Sequence, residues 1–297
     1  MPSVEFTEFQ ARMAAAPPPP PPGSLPELRA RIEASMGDLP LAEGTSAEDV
    51  DADGVPAIVC TRDGGDDDPW LVYFHGGGYR ICSARAYRAH GSQLAAVCRA
   101  RVLLVDYRLA PEHPFPAAVD DALTAYRWLL DQGVAPGRVV IAGDSAGGGL
   151  TAALLLAAAR DGVALPAGGA CLSGWLDLTN SADTFTTNAA TDMLFAKASA
   201  DEAAGLYLQG QDAADPLASP LFGDWSGMPP LLLMNGSIEC LADDSARLAD
   251  TAQAAGVDVT HTVYADMPHV WQMSYPAYPE AVQAVEEIAA FIARVTR

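Results

Sequence analysis

From residue 55 onward, short apolar runs alternate with longer amphipathic stretches. Runs at 55–60, 70–74, 101–106, 138–142, 168–173, 230–235 and 257–264 are rich in Val, Leu and Ile. Their length and composition predict strands buried on both faces. Between them, apolar positions at helical spacing predict helices at about 84–99, 117–132, 147–160, 241–255 and 279–295. Strands alternating with helices in this way predict an α/β fold, a mostly parallel sheet with helices on both faces. One stretch breaks the rhythm: residues 176–228 separate two strands by an unusually long span. Within it, Ser199 and Glu202 have capping-box spacing before Leu206-Tyr207-Leu208, which predicts a helix there. Insertions of that length are commonly functional, and this one is read as half of a cap.

Residues 1–50 follow a different pattern. Phe6, Phe9 and Met13 fall at helical spacing, and Pro17 to Pro22 then force an extended polyproline stretch. Ser24 and Glu27 form a second capping box, ahead of the apolar stripe Leu25, Leu28, Ile32 and Met36. Two short helices joined by a stiff spacer cannot fold alone, so they must lie on another surface. The chain therefore divides into an N-terminal helical segment, 1–50, and a main domain, 51–297, with the insertion at about 176–228. The N-terminal segment is either a cap over a site or an arm covering core or a partner subunit.

Composition narrows the partners. The 297 residues carry 38 acidic against 17 basic side chains, a net charge of −21, and Lys197 is the only lysine. That field repels phosphate backbones and anionic membranes, so neither nucleic acid nor a membrane surface is an expected partner. It also disfavours strongly anionic substrates unless an arginine stands near the site. Five cysteines (Cys60, Cys82, Cys98, Cys171, Cys240) with no C-x-x-C pair suit reduced thiols. No run of 18 apolar residues and no basic-then-apolar leader is present. A cytoplasmic chain without a membrane span is expected.

Two motifs carry the chemistry. Gly143-Asp144-Ser145-Ala146-Gly147 follows the apolar run Val139-Val140-Ile141-Ala142 and opens the helical stretch at 147. A G-x-S-x-G turn between strand and helix holds a serine at strained backbone angles with its hydroxyl exposed. His75-Gly76-Gly77-Gly78-Tyr79 follows Trp70-Leu71-Val72-Tyr73-Phe74. Three glycines at a strand end leave backbone N–H groups free to meet the negative oxygen that develops in acyl transfer.

These motifs, with Asp106-Tyr107-Arg108-Leu109-Ala110-Pro111-Glu112-His113-Pro114-Phe115-Pro116 and Met267-Pro268-His269-Val270-Trp271-Gln272, resemble the bacterial hormone-sensitive-lipase group of α/β-hydrolase carboxylesterases. Residues 1–50 carry none of the resemblance. It implies an α/β-hydrolase fold with a helical cap, an early antiparallel strand invisible in the pattern, and hydrolysis of small short-acyl esters through an acyl-enzyme. It implies no cofactor, and pairing of two chains through the edge of the last strand. A lactonase or a natural-product deacetylase would use the same groups. A non-catalytic binding protein of the same fold would lack the base.

Ser145 needs a base, and there are five histidines. His75 belongs to the glycine turn, His90 to a helical run and His113 to the proline-rich turn, while His261 shares a strand face with Val257, Val259 and Val263 as a core residue. His269 stands in the loop after the last strand, the hydrolase-fold position for the base. The histidines lack paired ligand spacing, so no metal is expected. For the acid, Glu239 is the first carboxylate after the strand ending at Asn235. Relatives mostly place Asp at the matching position, with a Glu variant among bacterial members. Asp243 is the second candidate, although Asp243 and Asp244 also suit capping of the following helix. Asp215-Pro216-Leu217 mimics the family's acid tripeptide but precedes the strand. The oxyanion is assigned to the amides of Gly76, Gly77 and Ala146, and Tyr79 and Trp271 to the pocket walls. Asp144 and the 106–112 stretch are read as scaffold, with Arg108 paired to nearby acids.

Overall fold

Apolar runs too short for helices line up as the middle of an eight-stranded sheet. The structure, a computed structural model, describes residues 1–16, 23–192 and 194–296; the proline run 17–22 lies outside the described residues. The strands are β1 (Thr45–Asp51), β2 (Pro56–Arg62), β3 (Trp70–Phe74), β4 (Arg101–Val105), β5 (Val139–Asp144), β6 (Gly168–Leu172), β7 (Leu231–Gly236) and β8 (Val259–Tyr264). Their spatial order is β1-β2-β4-β3-β5-β6-β7-β8. β2 runs antiparallel to both β1 and β4, and every other pair is parallel.

The helices are α1 (Val4–Ala15), α2 (Leu25–Met36), α3 (Arg88–Cys98), α4 (Ala117–Asp131), α5 (Ala146–Arg160), the single turn α6 (Thr184–Thr187), α7 (Lys197–Leu208), α8 (Ala242–Ala254) and α9 (Pro279–Val295). Alternation along β3 shows why its residues are all apolar. Val72 and Phe74 join the core beneath α4, α5 and α8, whereas Leu71 and Tyr73 join the core beneath α3 and α9. A strand buried on both faces has no polar alternation to display.

The α/β-hydrolase expectation holds, and β2 is the early antiparallel strand. β1 is an addition. Its sequence, Thr-Ser-Ala-Glu-Asp-Val-Asp, reads as loop because an edge strand with half-exposed faces needs little apolar surface. The sheet thus begins inside the segment set apart as 1–50. Two further readings change. α7 starts at Lys197, so Ser199 lies inside the helix and its Oγ accepts from Arg80 Nη2 at 3.2 Å instead of capping. His261 is half-buried on the edge strand rather than in the core: Asn235 Oδ1 lies 2.8 Å from its Nε2, and Val263 is 52% exposed.

The N-terminal helices are fixed by specific contacts. Ser3 caps α1 by accepting from the Phe6 amide, and its own N–H and hydroxyl donate to Glu280 at 2.6 and 2.7 Å. Phe6 packs edge-on against Tyr278, centroids 5.0 Å apart. Ser24 caps α2, accepting from the Glu27 amide. From α2, Arg29 donates to the carbonyls of Arg80 and Ala110 at 2.8 and 2.7 Å, and pairs with Glu112 at 2.8 Å. α2 therefore lies across the loops that follow β3 and β4.

Candidate active site

β5 ends in Gly143-Asp144, and the chain turns sharply at Ser145 into α5. Ser145 has φ 53° and ψ −120°, a conformation non-glycine residues seldom adopt. Its amide donates to the Leu172 carbonyl at 2.9 Å, and its carbonyl accepts from Gly149 and Trp175 at 3.1 and 2.9 Å. The turn tolerates no side chain at Gly147, where a Cβ would run into the Phe74 carbonyl. The flanking glycines thus let helix and strand close behind the serine.

His269 stands on the loop between β8 and α9, the Val270 amide anchored to Ser173 Oγ at 3.1 Å. Its Nε2 lies 2.9 Å from Ser145 Oγ, and its Nδ1 lies 3.0 Å from Glu239 Oε2. All three groups are buried, and the Phe195 ring stacks on the imidazole with centroids 5.5 Å apart. Burial by itself would lower the His269 pKa. The hydrogen bond and charge of Glu239, aided by Asp192 and Asp144, outweigh it and hold the pKa above 6.5. Burial pushes the Glu239 pKa up, opposed by the bond to His269.

Of the two carboxylates weighed for the imidazole, Glu239 is the one that meets it. Asp243 instead accepts from the Thr184 amide at 3.0 Å. Asp244 is buried and accepts from Leu176 and Asp177 at 2.9 and 3.1 Å, its pKa pushed up to about 8 chiefly by burial. Neither caps α8, contrary to the capping expectation: both hold the 176–184 loop. The insertion in turn fixes the Glu239 loop. Asn188 Nδ2 donates to the Glu239 carbonyl at 2.9 Å, Thr191 Oγ1 to the Ile238 carbonyl at 3.0 Å, and the Cys240 amide donates to Asp192 Oδ2 at 2.7 Å. Sequence spacing held no sign of these ties, which join residues some fifty positions apart.

The glycine turn requires one correction. The Gly76 N–H, expected to face the oxyanion, donates to Tyr87 Oη at 3.1 Å. Tyr87 Oη in turn donates to Asp144 Oδ2 and Tyr73 Oη donates to Asp144 Oδ1, both at 2.9 Å. Burial raises the Asp144 pKa to about 6, against the pull of these two tyrosines. Gly77 and Gly78, at φ 113° and 60°, line the cleft with Ser145. Their amides have no partner among the described residues. A Cβ on Gly77 would strike the Ile81 carbonyl, so only glycine fits. Ala146, at the first position of α5, presents an amide with no intrahelical acceptor. His75 shapes the turn, its ring stacked on Tyr107 at 4.3 Å and its Nδ1 2.8 Å from the Gly76 carbonyl.

The cleft over Ser145 encloses about 460 Å³. Met36 of α2 and Ser199 and Ala203 of α7 border it, as do Leu194 and Phe195 of the insertion. Arg80 also borders it, paired with Glu202 at 3.3 Å. Tyr79 does not. It is a core residue, stacked on Tyr207 with centroids 4.0 Å apart. Trp271 lines a neighbouring cavity that reaches His269 but not Ser145. Arg108 pairs with Asp121 of α4 at 2.7 Å, a partner outside its own loop. The five cysteines are free thiols, and no described helix is long and apolar enough to cross a membrane.

Comparison with known proteins bears on family and fold. The family described as alpha/beta hydrolase fold matches residues 71–273. An acetyl-hydrolase of Streptomyces hygroscopicus is 42% identical over 266 residues, covering 90% of this chain and 88% of its own. An esterase of Acinetobacter venetianus is 37% identical over 222 residues, covering 74% and 73%. The crystal structure of an esterase from the bacterial hormone-sensitive lipase family superposes with a TM-score of 0.93 at 43% identity, over 100% of both chains. By sequence and by fold alike, the chain belongs to the alpha/beta-hydrolase family, in its bacterial hormone-sensitive-lipase branch.

Proposed function

We propose that this protein is a serine carboxylesterase acting on small esters through an acyl-enzyme. The observation that carries the reading is the unbroken line of Ser145 Oγ, His269 and Glu239 at 2.9 and 3.0 Å, in a cleft also lined by Gly77 and Gly78, whose amides have no partner among the described residues. Ser145 Oγ attacks the ester carbonyl carbon while His269 Nε2 takes its proton. Glu239 holds the Nδ1–H tautomer and stabilises the imidazolium that forms. The carbonyl oxygen, now negative, is held by the amides of Gly77, Gly78 and Ala146; Gly76 supports the turn from behind. The imidazolium then gives its proton to the leaving alkoxide as the C–O bond breaks. Water, deprotonated by the same base, releases the acid and restores Ser145.

The relatives, an acetyl-hydrolase and an esterase, support an ester substrate with a small acyl group. Hydrolysis of p-nitrophenyl acetate, butyrate and decanoate tests this, with acetate and butyrate expected to turn over faster than decanoate. Equal or faster turnover of decanoate would reject the short-acyl preference.

The base must be neutral to act, so its raised pKa sets the acid limb of kcat/KM. That limb is expected above pH 6.5, the ordinary imidazole value. A pH–rate profile with the limb at or below 6.5 would contradict the Glu239–His269 coupling.

We read α1, α2 and the 176–228 insertion as the cap. Met36, Leu194, Phe195 and Ala203, which border the cleft, support that reading. Deleting residues 1–40 is expected to change acyl-chain preference and to uncover Phe6's apolar seat on Tyr278. Unchanged specificity together with unchanged solubility of the truncated chain would remove the cap.

A further inference from the structure

We infer that the cavity between α1 and the His269 loop receives the alcohol half of the ester, and that this half is a bulky, uncharged, apolar group. The inference rests on the esterase reading above and adds the substrate's chemical class to it.

Two cavities have the base in their linings. The first, about 460 Å³, contains Ser145 and the glycine turn; the second, about 770 Å³, contains neither. They share Leu194, His269, Val270 and Met273. An ester bound for attack has its carbonyl carbon on Ser145 Oγ and its carbonyl oxygen at the glycine amides. Its other oxygen must take the proton carried by His269 Nε2 as the C–O bond breaks, leaving as a neutral alcohol. The acyl and alcohol halves diverge from that carbon, and the alcohol half is the one held against the imidazole. The second cavity borders the imidazole and not Ser145, so this half is assigned to it.

The walls define its chemistry. Phe6, Phe9, Ile238, Trp271 and Met273 supply apolar surface. No Asp, Glu, Lys or Arg lines the cavity among the described residues, in a chain whose net charge is −21. Besides His269, its polar lining is neutral (Thr7, Gln10, Thr191 and Ser274), so a charged group would meet no carboxylate, lysine or arginine among the described residues. Met13 and Leu194, also on the lining, are 62% and 66% exposed, leaving apolar surface for a ligand to cover. Sites of about 300–1,000 Å³ enclose molecules of drug size, so a fused two-ring alcohol fits where ethanol would leave the space unfilled.

The test uses the intact protein and acetates of primary alcohols with similar leaving-group acidity: ethyl, hexyl, cyclohexylethyl and naphthylethyl. From ethyl to naphthylethyl acetate, kcat/KM is expected to rise about tenfold or more as apolar area is covered. Ala14→Trp, placed on an exposed residue of α1 that lines the cavity, is expected to remove that rise while ethyl acetate hydrolysis stays unchanged. Phe9→Ala is expected to raise KM for naphthylethyl acetate several-fold with kcat unchanged, and a thermal melt checks that each variant is folded. A flat alcohol series in a protein that hydrolyses ethyl acetate would overturn this inference alone. So would a rise that survives Ala14→Trp, or an equal loss on both esters. No hydrolysis of any ester would overturn the esterase reading and this inference with it.

Discussion

Ser145→Ala is expected to lower kcat by on the order of 10⁶-fold, the scale of loss when a serine nucleophile is removed. The size follows from the arrangement. Without Oγ there is no atom to bond the acyl carbon, and His269 would have to direct a water onto the ester in its place. The fold should be nearly untouched. Among the described residues the lost hydroxyl bonds to His269 alone, and alanine can occupy the same turn as serine, held by Leu172, Gly149 and Trp175. The expected stability change is about 1 kcal/mol or less. Rates with p-nitrophenyl acetate, together with a thermal melt of wild type and variant, check both halves. Wild-type turnover by the alanine variant would remove Ser145 as the nucleophile.

Glu239→Gln is expected to cost about 10⁴-fold in kcat, the effect of replacing a triad carboxylate by its amide. The amide carries no charge to stabilise an imidazolium and favours the wrong tautomer of His269. It also removes the partner that holds the His269 pKa up, so the acid limb of kcat/KM should move to lower pH. A merely structural role would not move that limb. Asp243→Asn is the control. Its carboxylate serves the Thr184 amide and stands away from the imidazole, so a change of a few-fold at most is expected. If Asp243→Asn were the more damaging of the two, the acid would have to be reassigned.

Where the candidate site is built from local sequence, its placement was readable in advance. The serine elbow, the glycine turn and His269 are each set by a strand end and the residues next to it, so motif and position sufficed. The buried strands were equally plain; the 70–74 reading coincides with β3 because burial on both faces leaves only apolar residues. β1 was missed for the opposite reason. It is an edge strand made of Thr45, Ser46, Glu48, Asp49 and Asp51 among others, held by its ladder to β2 and not by burial.

The other misses are tertiary. Gly76 lost its assigned donor role because Tyr87, a residue inside a stretch read as ordinary helix, reaches across to its amide. No local pattern distinguishes that tyrosine. Asp243 and Asp244 were drawn to the helix end by position, yet the 176–184 loop supplies amides in better geometry. Tyr79 sits beside the glycine turn in sequence, but its ring stacks on Tyr207 and does not border the cleft. Neighbourhood in sequence placed Ser145 and His269 together but did not place the Gly76 amide or the Tyr79 ring.

A crystal structure of the protein inactivated by an alkyl phosphonate ester tests the central claim most directly. Phosphorus is expected bonded to Ser145 Oγ, with the phosphonyl oxygen within hydrogen-bond reach of the Gly77, Gly78 and Ala146 amides and Glu239 still on His269 Nδ1. Phosphorus on another residue, or a carboxylate other than Glu239 on the imidazole, would contradict it.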